Sequence, residues 1–154
     1  MNKLYKNLQE LLEQKIGLYE KFIQLLNEEW KCVTDYSYDG LQEIIAKKDE
    51  QVMQMQVLEN NRASLMKKIA SNLKVGQSGL TLKKLIQNKN NPYRINLSKC
   101  RNKLLSKIQI INLLSTKIKE LMDHSALSLK KSLAFIHSEG EKANSPLSLI
   151  TSPS

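Results

Sequence analysis

Lys99, Lys103 and Lys107 stand four residues apart, with Arg94, Arg101, Lys117 and Lys119 close by in the sequence. On a helix such a row lines up and can follow the phosphates of a nucleic acid. Single-strand binding also needs aromatic platforms, and Tyr93 is the only aromatic nearby. No helix-turn-helix spacing is visible either. The row therefore reads as a solvated face set against acidic residues elsewhere in the chain, and no nucleic-acid partner is expected.

The other reactive side chains are as poorly placed for chemistry. His124 and His137 have no Cys or carboxylate companions at ligand spacing, so no metal site is expected. The glycines at 17, 40, 76, 79 and 140 do not form a phosphate loop. The carboxylate pairs Glu28/Glu29 and Asp49/Glu50 fall on heavily charged helix faces, which suits solvation rather than acid–base work. Cys32 and Cys100 are far apart and have no neighbouring His. The N-terminal stretch carries Glu and Gln where a secretory signal would be apolar, so the expectation is a cytoplasmic protein with reduced thiols. Nothing argues for an enzyme, and no cofactor is expected.

One set of charged residues remains to be explained. Lys48, Glu59 and Arg62 sit inside LQEIIAKKDEQVMQMQVLENNR (41–62), which has no Gly and no Pro. The elements around them follow from composition and period. The 154 residues fit one domain, and aromatics are only 5 %. Few Gly and Pro among many Leu, Ile, Lys, Gln and Glu indicate long helices. No apolar run approaches the ~20 residues of a membrane span, so no membrane insertion is expected. The net charge is +9 and lopsided. Residues 1–70 carry ten Lys/Arg against eleven Asp/Glu, and residues 71–154 carry fourteen against four.

The first segment, 3–33, repeats in sevens. Leu4, Leu11, Leu18, Leu25 and Cys32 form one column, and Tyr5, Leu12, Tyr19, Leu26 and Val33 the next. Leu8 and Phe22 add a third, interrupted by Lys15 and Glu29, while Ile16, Ile23 and Trp30 widen the stripe. Such width belongs to a helix in a bundle. Trp30 is expected as a core anchor. The turn formers of TDYSYDG (34–40) follow, with Asp39 a candidate cap. A second helix spans 40–73, with Leu41, Ile44, Ile45, Val52, Met55, Leu58, Leu65, Met66, Ile69 and Leu73 inward. A linker of about six residues makes the two helices an antiparallel hairpin. KVGQSGLT (74–81) ends it, a short amphipathic piece covers 80–88, and a third long helix runs over 94–137.

The predicted fold is all-α: an elongated, coiled-coil-like antiparallel bundle of three long helices with one short connecting helix, as a monomer or weak homodimer. Residues 1–137 form the single domain. The Ser/Pro-containing tail, 138–154, has no helical period and is expected to be disordered.

An apolar pair, a lysine, then LExxR resembles the second helix of the FlgN-type flagellar export chaperones. Here these are Ile44-Ile45, Lys48, Leu58-Glu59 and Arg62. The first helix is similar too, through Leu11-Leu12, Leu18-Tyr19, Leu25-Leu26 and Glu29, as is Asn112 in the third. The resemblance covers 4–136; the Lys-rich third helix and the short tail depart from it. It implies a cytosolic chaperone of bacterial flagellar type III export. Such a protein binds C-terminal helical segments of hook–filament junction proteins and delivers them to export-gate or ATPase components, without nucleotide or metal.

The residues are compatible with that role. Met122, Ala126, Leu129, Leu133 and Ile136 continue the third stripe past the expected end of the hairpin, and Ser125 and Ser128 leave gaps for an approaching helix. The expected partner-binding residues are Leu121, Met122, Ser125, Leu129, Leu133 and Ile136. Lys48, Glu59 and Arg62 are expected to fix register, with Arg62 paired to Glu13 or Glu20 on the first helix. A coiled-coil adaptor and a nucleic-acid-associated helical protein remain as alternatives.

Overall fold

The computed structural model describes residues 1–76 and 79–143. Four helices follow one another: α1 Asn2–Thr34, α2 Tyr38–Leu73, α3 Leu82–Gln87 and α4 Arg94–Ala143. Among the described residues there is no strand, as the all-α reading requires. The chain divides into two compact units, Met1–Ser115 and Thr116–Ser154, with the boundary inside α4.

In the first unit α1 and α2 pack as a hairpin. Its turn has three residues rather than six. It closes because Tyr36 takes a left-handed backbone, φ 55°, and the Ser37 amide donates to the Cys32 carbonyl at 2.9 Å. Ser37 is the N-cap residue of α2, so Asp39 is not. Asp39 lies in the first turn, where its charge faces the positive end of the helix dipole. A Cβ at Gly40 would stand 2.8 Å from Ser37 Oγ and 2.9 Å from Cys32 Sγ, so those two side chains would have to turn aside for any larger residue here.

The far end of α2 is closed by Lys74 in the left-handed region, φ 56°. The Val75 amide then reaches the Ala70 carbonyl at 3.1 Å, a Schellman-type ending. Lysine holds the position where glycine is usual, and Gly76 comes two residues later. Thr81 caps α3, its Oγ1 accepting from the Lys84 amide at 3.2 Å. Asn91 is buried between α3 and α4. Its Nδ2 donates to the Leu85 carbonyl at 3.1 Å, and its Oδ1 accepts from the Tyr93 amide at 2.9 Å. One amide thus satisfies backbone groups on both sides of Pro92.

These connections gather one core from all four helices. It holds Tyr5, Leu8, Leu12 and Ile16 of α1, Ile69 of α2, Leu85 of α3, and Leu97, Cys100 and Leu104 of α4. The Tyr5 and Tyr93 rings lie 6.4 Å apart, and Lys107 Nζ is 3.7 Å from Glu20 Oε1. The start of α4 therefore runs alongside α1 in the same direction, giving up–down–up. The Lys107 pair also bears out, for one lysine of the row, the reading of a basic face set against acidic residues.

Three expected core positions are not core. Trp30 is 39 % exposed, while Glu29 beside it is only 4 % exposed; Lys48 reaches the Glu29 carboxylate and draws it inward. Ile45 and Val52 are exposed as well. The face α2 turns inward carries Ile44, Lys48, Met55 and Leu58; at about 100° per residue, Ile45 and Val52 lie roughly 80–100° round from it. Finally, α4 continues past His137 to Ala143. Glu, Lys and Ala are good helix formers, and His137 Nε2 lies 3.1 Å from Glu141 Oε1 one turn on. Residues 144–154 of the expected tail lie outside the described residues.

Candidate partner-binding surface

Two charged residues of α2, Lys48 and Glu59, pair across the hairpin. Lys48 Nζ donates to Glu29 Oε2 at 2.8 Å and Oε1 at 3.2 Å, and lies 5.7 Å from the centre of the Phe22 ring. Lys15 Nζ is 3.5 Å from Glu59 Oε2 and 5.7 Å from the centre of the Tyr19 ring. Lys15 and Glu29, which interrupt an apolar column of α1, are thus the cross-helix partners of Glu59 and Lys48. Arg62 does not reach Glu13 or Glu20. Its Nε donates to both oxygens of Glu59, at 3.1 and 2.9 Å, within its own helix. At three residues' separation Glu59 is the nearest carboxylate, and ordering a short local pair costs less than ordering one across helices. Arg62 holds the Glu59 carboxyl below the ordinary glutamate value, first by hydrogen bonding and then by charge, with Lys15 adding to it and partial burial opposing it.

Neither thiol is bonded to the other: Cys32 and Cys100 are both free. Burial pushes the Cys100 thiol above its ordinary value, Glu13 pushes the same way, and Lys103 opposes. A thiol held protonated is a poor nucleophile.

The second unit carries the expected stripe on the distal part of α4. Leu121, Met122 and Ser125 are half-buried. Leu129, Leu133 and Ile136 are 61 %, 57 % and 62 % exposed. With Met122 and Ala126 they fall within roughly 80° of arc on the helix, a continuous apolar strip. At ~1.5–3 kcal/mol for each large aliphatic side chain left in water, the three exposed ones forgo on the order of 5 kcal/mol of burial. That is a strong drive toward a covering surface. The chemistry such a strip can do is to bury a matching strip on another helix.

Two apolar side chains escaped the heptad reading. Leu127 and Phe135 are also exposed, and they fall on the opposite side of α4. Their signal was present in SALSLKKSLAFI as apolar residues off the stripe, but a single-face pattern discards them. A groove of about 440 Å³ in the first unit was missed as well. It is lined by Gln14, Gly17, Leu18, Lys21, Gln54, Val57 and Leu58. Leu18 and Leu58 belong to core columns, yet the two helices leave room between them here.

Among the described residues, no helix is long and apolar enough to cross a membrane, and no cluster of ligating side chains could hold a metal ion. Compared with known proteins, the chain matches one family over residues 1–145, described as FlgN protein. No curated protein and no solved structure matches it.

Proposed function

The chain belongs to the FlgN family of flagellar export chaperones, and from that premise we propose that it captures C-terminal helical segments of hook–filament junction proteins and delivers them to the export gate. Chaperones of this family bind flagellar export substrates; the family is not one of enzymes. The observation that carries the finer reading is the exposure of Leu129, Leu133 and Ile136 on one strip of α4. A subunit that polymerises through amphipathic terminal helices has apolar strips to protect before assembly. A strip of the same kind on the chaperone can cover them. Met122 belongs to the strip and Leu121 and Ser125 border it, and the cytoplasm is the proposed site of action.

The test is calorimetric titration of the full chain with a C-terminal fragment of a junction protein. Leu129→Asp combined with Leu133→Asp sets two charges in the apolar contact. Binding is expected to weaken more than tenfold, about 1.4 kcal/mol or more, while the melting temperature stays within a degree or two of the parent. Unchanged affinity would place the client elsewhere. A large fall in melting temperature would show that the strip serves the protein's own fold.

A further inference from the structure

Between Glu59 and Glu120 the chain has fourteen Lys or Arg and no Asp or Glu. Up to Ser115 this stretch belongs to the first unit, where it supplies the last third of α2, all of α3 and the first half of α4. These pieces meet the start of α1 in one core, through Tyr5, Ile69, Leu85 and Leu97. Their outward-facing cations therefore share one end of the unit, and Lys3 and Lys6 of α1 add to them. Lys67, Lys68, Lys83, Lys99 and Lys103 are all exposed.

The kind of charge narrows the kind of partner. Lysine dominates: Arg62, Arg94 and Arg101 are the only arginines in the stretch, and Arg62 is engaged by Glu59. Protein interfaces enrich arginine and deplete lysine. Arginine forms planar two-pronged bonds, whereas lysine is a hydrated point charge suited to a diffuse anionic field. Single-stranded nucleic acid would want exposed aromatic faces. The tyrosines here, Tyr5 and Tyr93, face each other and pack on or within the core. What protrudes among the lysines is aliphatic. Ile95 is 64 % exposed and Val75 48 % exposed. Ile95 shares its helix face with Lys99, Asn102 and Lys103.

Exposed aliphatic side chains interspersed with lysines fit a bilayer surface, where methyl groups enter the interface and ammonium groups meet phosphates. We propose that this end of the first unit docks on an anionic phospholipid surface. The attraction acts over about one Debye length, ~8 Å at physiological salt, so the unit settles on the headgroups without crossing them. The surface lies outside the distal α4 strip, and the proposal stands independently of client binding.

Co-sedimentation of the full chain with vesicles tests it. Vesicles of phosphatidylcholine and phosphatidylglycerol in equal parts are expected to bind the chain. Vesicles of phosphatidylcholine alone are not, and added salt should release it. Lys83→Glu with Lys99→Glu and Lys103→Glu should cut partitioning at least tenfold. Lys47→Glu with Lys130→Glu and Lys131→Glu, which changes net charge equally elsewhere, should cut it far less. Helical melts confirm that both variants fold, and the salt and lipid dependence of the unmodified chain decides the matter if one does not. Equal binding to neutral vesicles, none to anionic ones, or equal losses in the two variants overturns the proposal. So does tighter binding of a single-stranded RNA oligonucleotide at the same salt, which would make the surface a nucleic-acid site.

Discussion

Glu59 meets two cations at once, Arg62 on its own helix and Lys15 across the hairpin. Its carboxyl is held below the ordinary glutamate value of 4.5, chiefly by the Arg62 hydrogen bonds. A carboxylate with a lowered folded-state pKa adds stability above the unfolded value, and that stability is lost as pH falls through the folded one. Glu59 is about half exposed, so its contribution is of the surface kind, below about 1 kcal/mol. Glu59→Gln is therefore expected to lower the urea midpoint slightly at neutral pH. The gap to the parent should close as the pH drops below 4.5. A gap that stays constant with pH would mean the ion pairs contribute nothing and the substitution acts through packing. The sequence made Lys48, Glu59 and Arg62 conspicuous as charges in an apolar setting. It did not disclose which partner each would choose, because the spacing offered Arg62 carboxylates on both helices, and only the folded geometry shows Glu59 of its own helix beside it.

The helices themselves were legible because their apolar period runs unbroken for many turns, and their ends because Gly, Pro, Asn and Ser cluster between them. The details at those ends were not. Left-handed backbone falls on Tyr36 and Lys74, neither a residue type that announces it, while Gly76 lies two positions on. A non-glycine residue in that region is strained by roughly 1–2 kcal/mol. Lys74→Gly is expected to raise stability by about 1 kcal/mol, since it relieves the strain at the α2 C-terminus and the exposed lysine side chain has little to lose there. For a chain of this size that is a rise of about 2–4 °C in melting temperature. A fall would show that the lysine side chain, not the backbone, matters at this end. Asn91 is a similar case: the NKNNPY stretch is a visible breaker, but nothing in it marks one asparagine as the buried tie between α3 and α4.

At the scale of the molecule, α4 belongs to two environments. Leu97, Cys100 and Leu104 are buried in the first unit; beyond Met122 no described residue of α4 is buried. Burial of flanking side chains governs how often helical amides open. Hydrogen exchange is expected to be slower around 97–104 than around 127–139 by about a hundredfold or more. A junction-protein fragment should slow the distal amides and leave the proximal ones unchanged. Uniform protection along α4 in the free chain would contradict this division. Apolar spacing made the distal strip visible in the sequence. That it is left uncovered was a question of three-dimensional supply, which spacing cannot answer.

A stripe that repeats every seven residues measures position only modulo seven. If α2 slid along α1 by one heptad in either direction, apolar side chains would still meet apolar side chains almost everywhere. Glu29 would then face Leu41 or Met55 in place of Lys48. Lys15 would face Val52 or Met66 in place of Glu59. Each slip strands charges against hydrocarbon, at a cost of several kcal/mol when the site is buried. We propose that the four side chains act like the second scale of a vernier. The leucines give the fine division, and two pairs of opposite charge say which division is zero.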